Sequence, residues 1–425
     1  MTNRLALGID FGTSGVRAIA IDSSAQIQTL VKTSYDISDC GSWRSALWHI
    51  LAVLPLPIKQ AIGAIALNGT SSTVLAVDDR GQPLTPPLLY NFQCDQSIQD
   101  QLHSFVPEDS PARSSTSSLG KLLFLQKQID KTCRAYFLHQ ADWLAYLLHG
   151  KLGISDYHNA LKLGYDIVNL RYPDWFPNTW LRPPEVLSPS QIIGNLSPAV
   201  AYEFHLSSDC LVCAGTTDST AACIASLGTL ANPATTGMTA LGSTLVIKAV
   251  SPVPIFQAEY GIYSHRWQWQ GATHYLAGGA SNTGGAVLKQ FFADEQLQTL
   301  SQQIDPTKSS PLRYYPLCRA GERFPISDPN LQPKLEPRPA DPVAFLHGLL
   351  ESMARIEKQG YDLLNQLGCP QPEQIITTGG GANNWVWQAI RQRVIGLPVR
   401  PADFTEAAYG TALMLWEVLE QTQAN

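Results

Sequence analysis

Short apolar strand-like runs, intervening segments with apolar residues at helical spacing, and 425 residues with 44% hydrophobic content predict an α/β protein with two substantial cores. Leu5–Asp10 is an apolar run that ends on an acid, Gly12–Gly15 is a tight Gly/Thr/Ser turn, and Val16–Ile21 reads as a second strand. Together they make a β-hairpin with a glycine-rich tip. Ala61–Leu67, Thr73–Val77 and Leu211–Ala214 read as further strands. Leu119–Gln128 carries a helical apolar pattern, and Ala141–Leu148 does so up to Gly150, a residue suited to a helix C-terminus. The clearest helix runs from Pro342 to about Leu367: Asp341 caps it, Phe345, Leu346, Leu349, Leu350, Met353 and Ile356 form its inner stripe, and Gly368 ends it.

Residues 171–198 are rich in Pro and Trp and read as a loop-rich segment over the first domain, and the Pro-rich stretch 302–341 reads as an excursion on the second. The composition changes at Ala231–Pro233, which sets the expected boundary: 1–230 and 231–403, with 404–425 returning to the first domain. A strand followed by a Gly/Ser/Thr turn appears near residue 12 and again near residue 242.

Charged residues make up 15% of the chain and the net charge is -6, with no long basic stretch, so a nucleic-acid partner is excluded. Eight scattered cysteines do not form a disulfide framework. Cys210 and Cys213 have the spacing of a metal or redox half-site, but they lie in an apolar strand with no second Cys/His pair nearby. No apolar run approaches the roughly 20 residues of a membrane span. Asp10 interrupts the only N-terminal apolar run. The expectation is a cytoplasmic protein with reduced thiols and no membrane partner.

Several stretches can carry chemistry. The tip at Gly12 brings backbone N–H groups near an anion, Thr13 and Ser14 add hydroxyls, and Asp10 stands where a carboxylate could hold hydrated Mg²⁺. This is not a Walker loop, because no Gly-Lys-Ser/Thr follows. GTTDSTAACIASLG, from Gly215, puts Asp218 at a strand-to-helix junction, as a helix cap or as a general base. TTGMTALGSTLVIKAV, 235–250, turns at Gly242, Ser243 and Thr244, where N–H groups and hydroxyls are expected to face outward. IITTGGGANNWVWQAI, from Ile375, offers Gly379, Gly380 and Gly381 as a flat backbone for a base or ribose, Asn384 as a purine hydrogen-bonding group and Trp387 as a pocket wall. No Gly-x-Ser-x-Gly elbow is present, which removes the serine hydrolases of that type. His139, His158 and His274 read as structural or exposed polar residues.

The combination resembles a family. DFGTSGVR at 10–17, GTTDSTAA at 215–222, LGST at 241–244, GGGANN at 379–384 and AAYGTALM at 407–414 follow the order and rough spacing of the FGGY carbohydrate kinases, relatives of actin and the chaperone ATPases. SDYHNALKLGYDI, 155–167, is similar to the family's substrate-domain segment. The resemblance implies two actin-like (ribonuclease H-like) domains flanking a cleft that takes sugar and ATP. It implies Asp10 and Thr13 at metal and phosphate, Gly12 and Ser14 beside them, and Asp218 as catalytic base. Gly242–Thr244 would meet the outer phosphates, and Gly379–Asn384 with Trp387 the adenosine.

The sequence departs from the family at the sugar. NGTSSTV, 68–74, stands where xylulokinases usually carry Ser-Gly-Gln-Met-His and glycerol kinases Asn-Gln-Arg-Glu. It looks more like short pentulose kinases that favour D-ribulose. The usual Trp-x-Asp-x-Arg contact is replaced by YNFQCDQ, 90–96. The expected sugar set is therefore Asp10, Ser71, Ser72, Asn91, Asp95 and Asp218, for D-ribulose first and D-xylulose second, with ATP and Mg²⁺, in a monomer or homodimer. An actin- or chaperone-type ATPase and a catalytically weak sugar sensor are the alternatives outside the class.

Overall fold

The structure is a computed structural model that describes residues 4–424, with the side chains of 421–424 left aside, so the last residue of the expected returning helix lies outside the described residues. It divides into two compact units, Met1–Thr229 with Phe404–Asn425, and Leu230–Asp403.

The first unit is built on a sheet whose strands lie side by side as Ile27–Thr33, Gly15–Ile21, Leu5–Gly12, Ile62–Gly69, Leu211–Cys213 and Ile192–Asn195. Leu5–Gly12 and Gly15–Ile21 form the expected hairpin, paired from Ala6↔Ile21 to Gly12↔Gly15. The chain then crosses over through the helix Cys40–Val53 and re-enters beside Leu5–Gly12 as the parallel strand Ile62–Gly69. Every residue of Leu5–Gly12 and Ile62–Gly69 is buried, the pattern of strands covered on both faces. One face packs Leu7, Ile9, Phe11, Ile65 and Leu67 against Trp43, Leu47, Ile50 and Trp143. The other carries small residues, Ala6, Ala64 and Ala66, under the helices Asp218–Leu227 and Ala407–Met414.

A second cluster of this unit joins the paired strands Val74–Asp78 and Ala135–His139 to the helices Gln96–Phe105 and Ser118–Gln128. The Pro/Trp-rich stretch covers that cluster with Trp175, Phe176 and Trp180. It is more than a loop, because Ile192–Asn195 joins the main sheet antiparallel to Leu211–Cys213. Cys210 and Cys213 are buried free thiols, pushed up to about 12 by burial, and no cluster of metal-ligating residues exists among the described residues.

The second unit repeats the plan. Its sheet runs Tyr263–Trp269, Ala272–Ser281, Leu245–Ser251, Thr236–Leu241, Gln374–Thr378, Val399–Pro401. Again an antiparallel hairpin, Thr236–Leu241 with Leu245–Ser251, is flanked on its first strand by a parallel one, Gln374–Thr378. The faint sequence echo at residues 12 and 242 is this repeated hairpin. The helix Pro342–Gln366 is capped by the Asp341 carboxylate, which accepts from the Val343 and Ala344 amides. The stretch 302–341 departs from expectation. It has no long element, yet Phe324 is fully buried and Tyr314 lies in the same core, so it is structural rather than an excursion.

A buried ion pair braces this unit. Arg391 Nε and Nη2 donate to Glu357 at 2.6 Å each, Arg391 Nη1 donates to Thr377 at 2.7 Å, and Thr239 donates to Glu357 at 2.5 Å. Four elements are thus tied: the strands Thr236–Leu241 and Gln374–Thr378 and the helices Pro342–Gln366 and Trp385–Ile395.

Candidate active site

In the first unit, Asp10, Asn68 and Thr216 are register partners on adjacent strands, with Asp10 opposite Asn68 and Thr216 opposite Asn68. Gly215 permits this: a Cβ there would lie 1.8 Å from the Leu67 carbonyl oxygen. The helix Asp218–Leu227 starts just beyond, with Thr217 at the cap and Asp218 as first helical residue, accepting from the Ser219 amide at 2.6 Å. Asp218 is thus one position past the cap.

Asp10 is 4% exposed, and its Oδ1 is buried with no hydrogen-bond partner. Arg17 lies 3.8 Å from Oδ2 and is itself 3.2 Å from Glu406. Burial raises the Asp10 carboxyl to about 7, the Asp218 charge pushes the same way, Arg17 opposes and Glu406 adds a little. Tyr35 feels both acids too. Burial first, with Asp10 and Asp218 contributing, takes its hydroxyl up to about 12. Asp10 and Asp218, 208 positions apart in sequence, thus share one electrostatic neighbourhood. Thr13 and Ser14 stand exposed at the hairpin tip.

A half-buried hydrogen-bond chain fixes the tip. Tyr35 donates to the Gly12 carbonyl at 2.9 Å, and Gln140 Nε2 donates to Tyr35. Gln140 Oε1 accepts from the Thr70 amide at 3.1 Å, and the Thr70 and Thr73 hydroxyls are bonded at 2.5 Å. The chain thus runs from the hairpin to the turn that carries Ser71 and Ser72. Ser72 is buried in the left-handed region at φ 64, and its Oγ has no partner. Asn91 is exposed and follows Tyr90, whose amide donates to Thr73 Oγ1. Asp95 is a correction: its carboxylate is the exposed N-cap of Gln96–Phe105, accepting from the Ile98 amide at 2.9 Å.

The second unit holds a pocket of about 580 Å³. Gly242, Ser243, Gly380, Gly381, Asn384 and Trp387 all line it, whereas Thr244 and Gly379 do not. Three expectations there are revised. The Gly242 amide faces inward and closes its own turn on the Thr244 carbonyl at 3.1 Å. Asn384 also serves as a cap, its Oδ1 accepting from the Trp387 amide and its Nδ2 donating to Ser301, which leaves one N–H and one lone pair for a ligand. Trp387 is 3% exposed and donates its indole N–H to the Leu350 carbonyl, acting as floor more than wall. The exposed wall is Trp385, 60% accessible.

Sequence reasoning missed Tyr35, Gln140, Lys121, Glu406, Trp385 and Lys289, which lines the same pocket. Lys121 left a legible sign, a charge between Leu119, Leu122 and Leu123 on an apolar helix. Gly284–Gly285, ahead of the helix Gly285–Lys289, was the sign for Lys289. His139 and His158 are structural: His139 bonds Asp142 and His158 bonds Thr216, both buried.

Residues 236–415 match the C-terminal domain model of the FGGY family of carbohydrate kinases. The chain is 23% identical over 450 aligned residues to a xylulose kinase of Staphylococcus epidermidis, covering 97% of this chain and 88% of that one. It shares the fold of a xylulose kinase from Rhodospirillum rubrum (TM-score 0.82, 19% identity, 97% and 89% coverage). A Plasmodium falciparum glycerol kinase crystallised with ADP is similar in the same way (TM-score 0.80, 14% identity, 99% and 90% coverage). The α/β fold is the one those two structures share. Residues 236–415 are an FGGY-family C-terminal domain.

Proposed function

We propose that the chain transfers the γ-phosphoryl group of ATP to the terminal hydroxyl of a ketopentose. The observation that carries this is the Asp10–Asp218 pair, with a buried unpartnered Asp10 oxygen beside the Thr13–Ser14 tip. A lone desolvated carboxylate oxygen fits a hydrated cation, and the absence of a larger ligand cluster among the described residues fits Mg²⁺ held mostly by water and phosphate. Mg²⁺, when bound, neutralises charge on the β- and γ-phosphates.

The protein's residues do the rest. Asp10 anchors the metal's water shell, and Thr13 and Ser14 orient phosphate oxygens. Asp218, on the first turn of its helix, accepts the proton of the attacking hydroxyl. Ser71, Ser72 and Asn91 recognise the sugar's other hydroxyls. In the second unit, the strand-end glycines Gly380 and Gly381 leave room for the adenosine, which Trp385 borders. Gly242 and Ser243 lie at the phosphate end.

The relatives named xylulose kinase favour D-xylulose, and the NGTSSTV segment favours D-ribulose. Coupled ADP release across D-xylulose, D-ribulose, L-ribulose, L-xylulose and glycerol tests the proposal. A ketopentose-dependent rate supports it. ADP release that no sugar stimulates refutes it in favour of an ATPase cycle.

A further inference from the structure

Lys121 lies on the helix Ser118–Gln128 between Leu119 and Leu122 and has no exposed surface. Its Nζ donates to the Ser72 carbonyl and to the Leu89 carbonyl, both at 2.7 Å. One carbonyl belongs to the turn 70–73 and the other to the segment leading to Asn91. These are the two stretches assigned to the sugar. Burial brings the amine down to about 7; the Cys94 thiol opposes this and Lys162 adds to it.

A leucine or methionine would fill this position without the cost of desolvating an amine. What the amine supplies is a bridge between two backbone carbonyls. The turn it grips is under strain, because Ser72 sits in the left-handed region, which a residue with a side chain rarely adopts. The Ser72 hydroxyl is meanwhile 2% exposed as a residue and has no protein partner. A strained turn that buries an unpaired hydroxyl is the arrangement of a ligand contact.

We propose that Lys121 is a positioning residue for sugar recognition: its two hydrogen bonds clamp the turn 70–73 to the segment 88–91 and so present the Ser72 hydroxyl to a hydroxyl of the bound ketopentose. The inference rests on the pentulose kinase reading. Other ties between the two segments persist without Lys121, namely the paired Val74 and Leu88 amides and carbonyls and the Tyr90 amide to Thr73. The variant therefore keeps the segments together and loses the clamp.

The test is steady-state kinetics of the full chain with D-xylulose and D-ribulose, reading the KM for sugar and for ATP separately, beside a thermal melt. Lys121→Met raises the sugar KM about ten-fold or more with the ATP KM within about two-fold, the worth of one misplaced hydrogen bond. Ser72→Gly, which keeps the left-handed backbone at no steric cost, raises the sugar KM likewise without lowering the melting temperature. If Lys121→Met does not fold, Lys121→Gln, whose N–H donor sits one atom nearer the backbone and cannot hold both carbonyls at 2.7 Å, carries the same comparison. Lysine variants that lower the melting temperature while leaving the sugar KM unchanged overturn the proposal, as does an unchanged sugar KM in Ser72→Gly. A wild-type chain that turns over no ketopentose removes the underlying reading, and the inference with it.

Discussion

Replacing Asp10 with asparagine is expected to make the protein more stable and inactive. In the folded state the carboxyl is raised to about 7, chiefly by burial and then by Asp218. In the unfolded chain it returns to about 4. The folded state therefore holds the proton more tightly, so stability falls as pH rises from about 4 to about 7, and the full penalty remains above that. A rise of that size is worth at most about 4 kcal/mol, and relaxation around the charge leaves roughly 2–4. The substituted amide is isosteric and uncharged, and Arg17 keeps Glu406 as a partner. For a unit of this size roughly 2 °C accompanies each kcal/mol, so the variant melts about 4–8 °C higher at pH 8. The gain shrinks towards zero near pH 4.5. Calorimetry of both proteins at the two pH values, without Mg²⁺, measures it, and coupled ADP release checks the loss of activity. A variant that melts lower than wild type at pH 8 would refute the argument that Asp10 is held charged at a cost.

Asp218→Ala lowers kcat by roughly 10²–10⁴, the usual worth of a general base, and leaves the ATP KM near wild type in single-substrate titrations. Gly380→Val raises the ATP KM without shifting the melting temperature, because a Cβ at Gly380 meets no protein atom within 4 Å and projects where the nucleotide is proposed. Arg391→Met costs about 3–5 kcal/mol by denaturant titration, since it leaves Glu357, itself fully buried, without its partner. The Mg²⁺ concentration needed for half-maximal activity rises as pH drops below about 7, where Asp10 in the metal-free protein becomes neutral; a Mg²⁺ requirement that does not change down to about pH 5 would count against its metal role.

Much of the fold was legible because local chemistry and tertiary role agree. The hairpin at residues 5–21 and the capped helix from Pro342 are written in turn residues, a cap and a periodic stripe. The acids were legible through their glycine-rich surroundings. Asp95 and Asn384 carry a duty that their motifs hid: Asx residues ahead of a helix cap it, and that demand competes with any ligand. Tyr35 and Gln140 were not legible, because each acts through partners more than twenty positions away that only the folded chain supplies. Phe324 shows the limit of composition: a Pro-rich stretch signals irregular backbone and says nothing of how deep its side chains sit.

The first unit is interrupted in sequence, its chain leaving at Thr229 and returning at Phe404. The returning helix Ala407–Met414 completes, with Asp218–Leu227, the cover over Ala6, Ala64 and Ala66, three of the earliest sheet residues to be synthesised. During translation that apolar face must wait for about 340 further residues before its lid is made, while Leu230–Asp403, contiguous, can mature first. A ribosome-stalled or prematurely terminated product would therefore carry a finished middle and a bare, sticky beginning, the kind of nascent chain that chaperones shield.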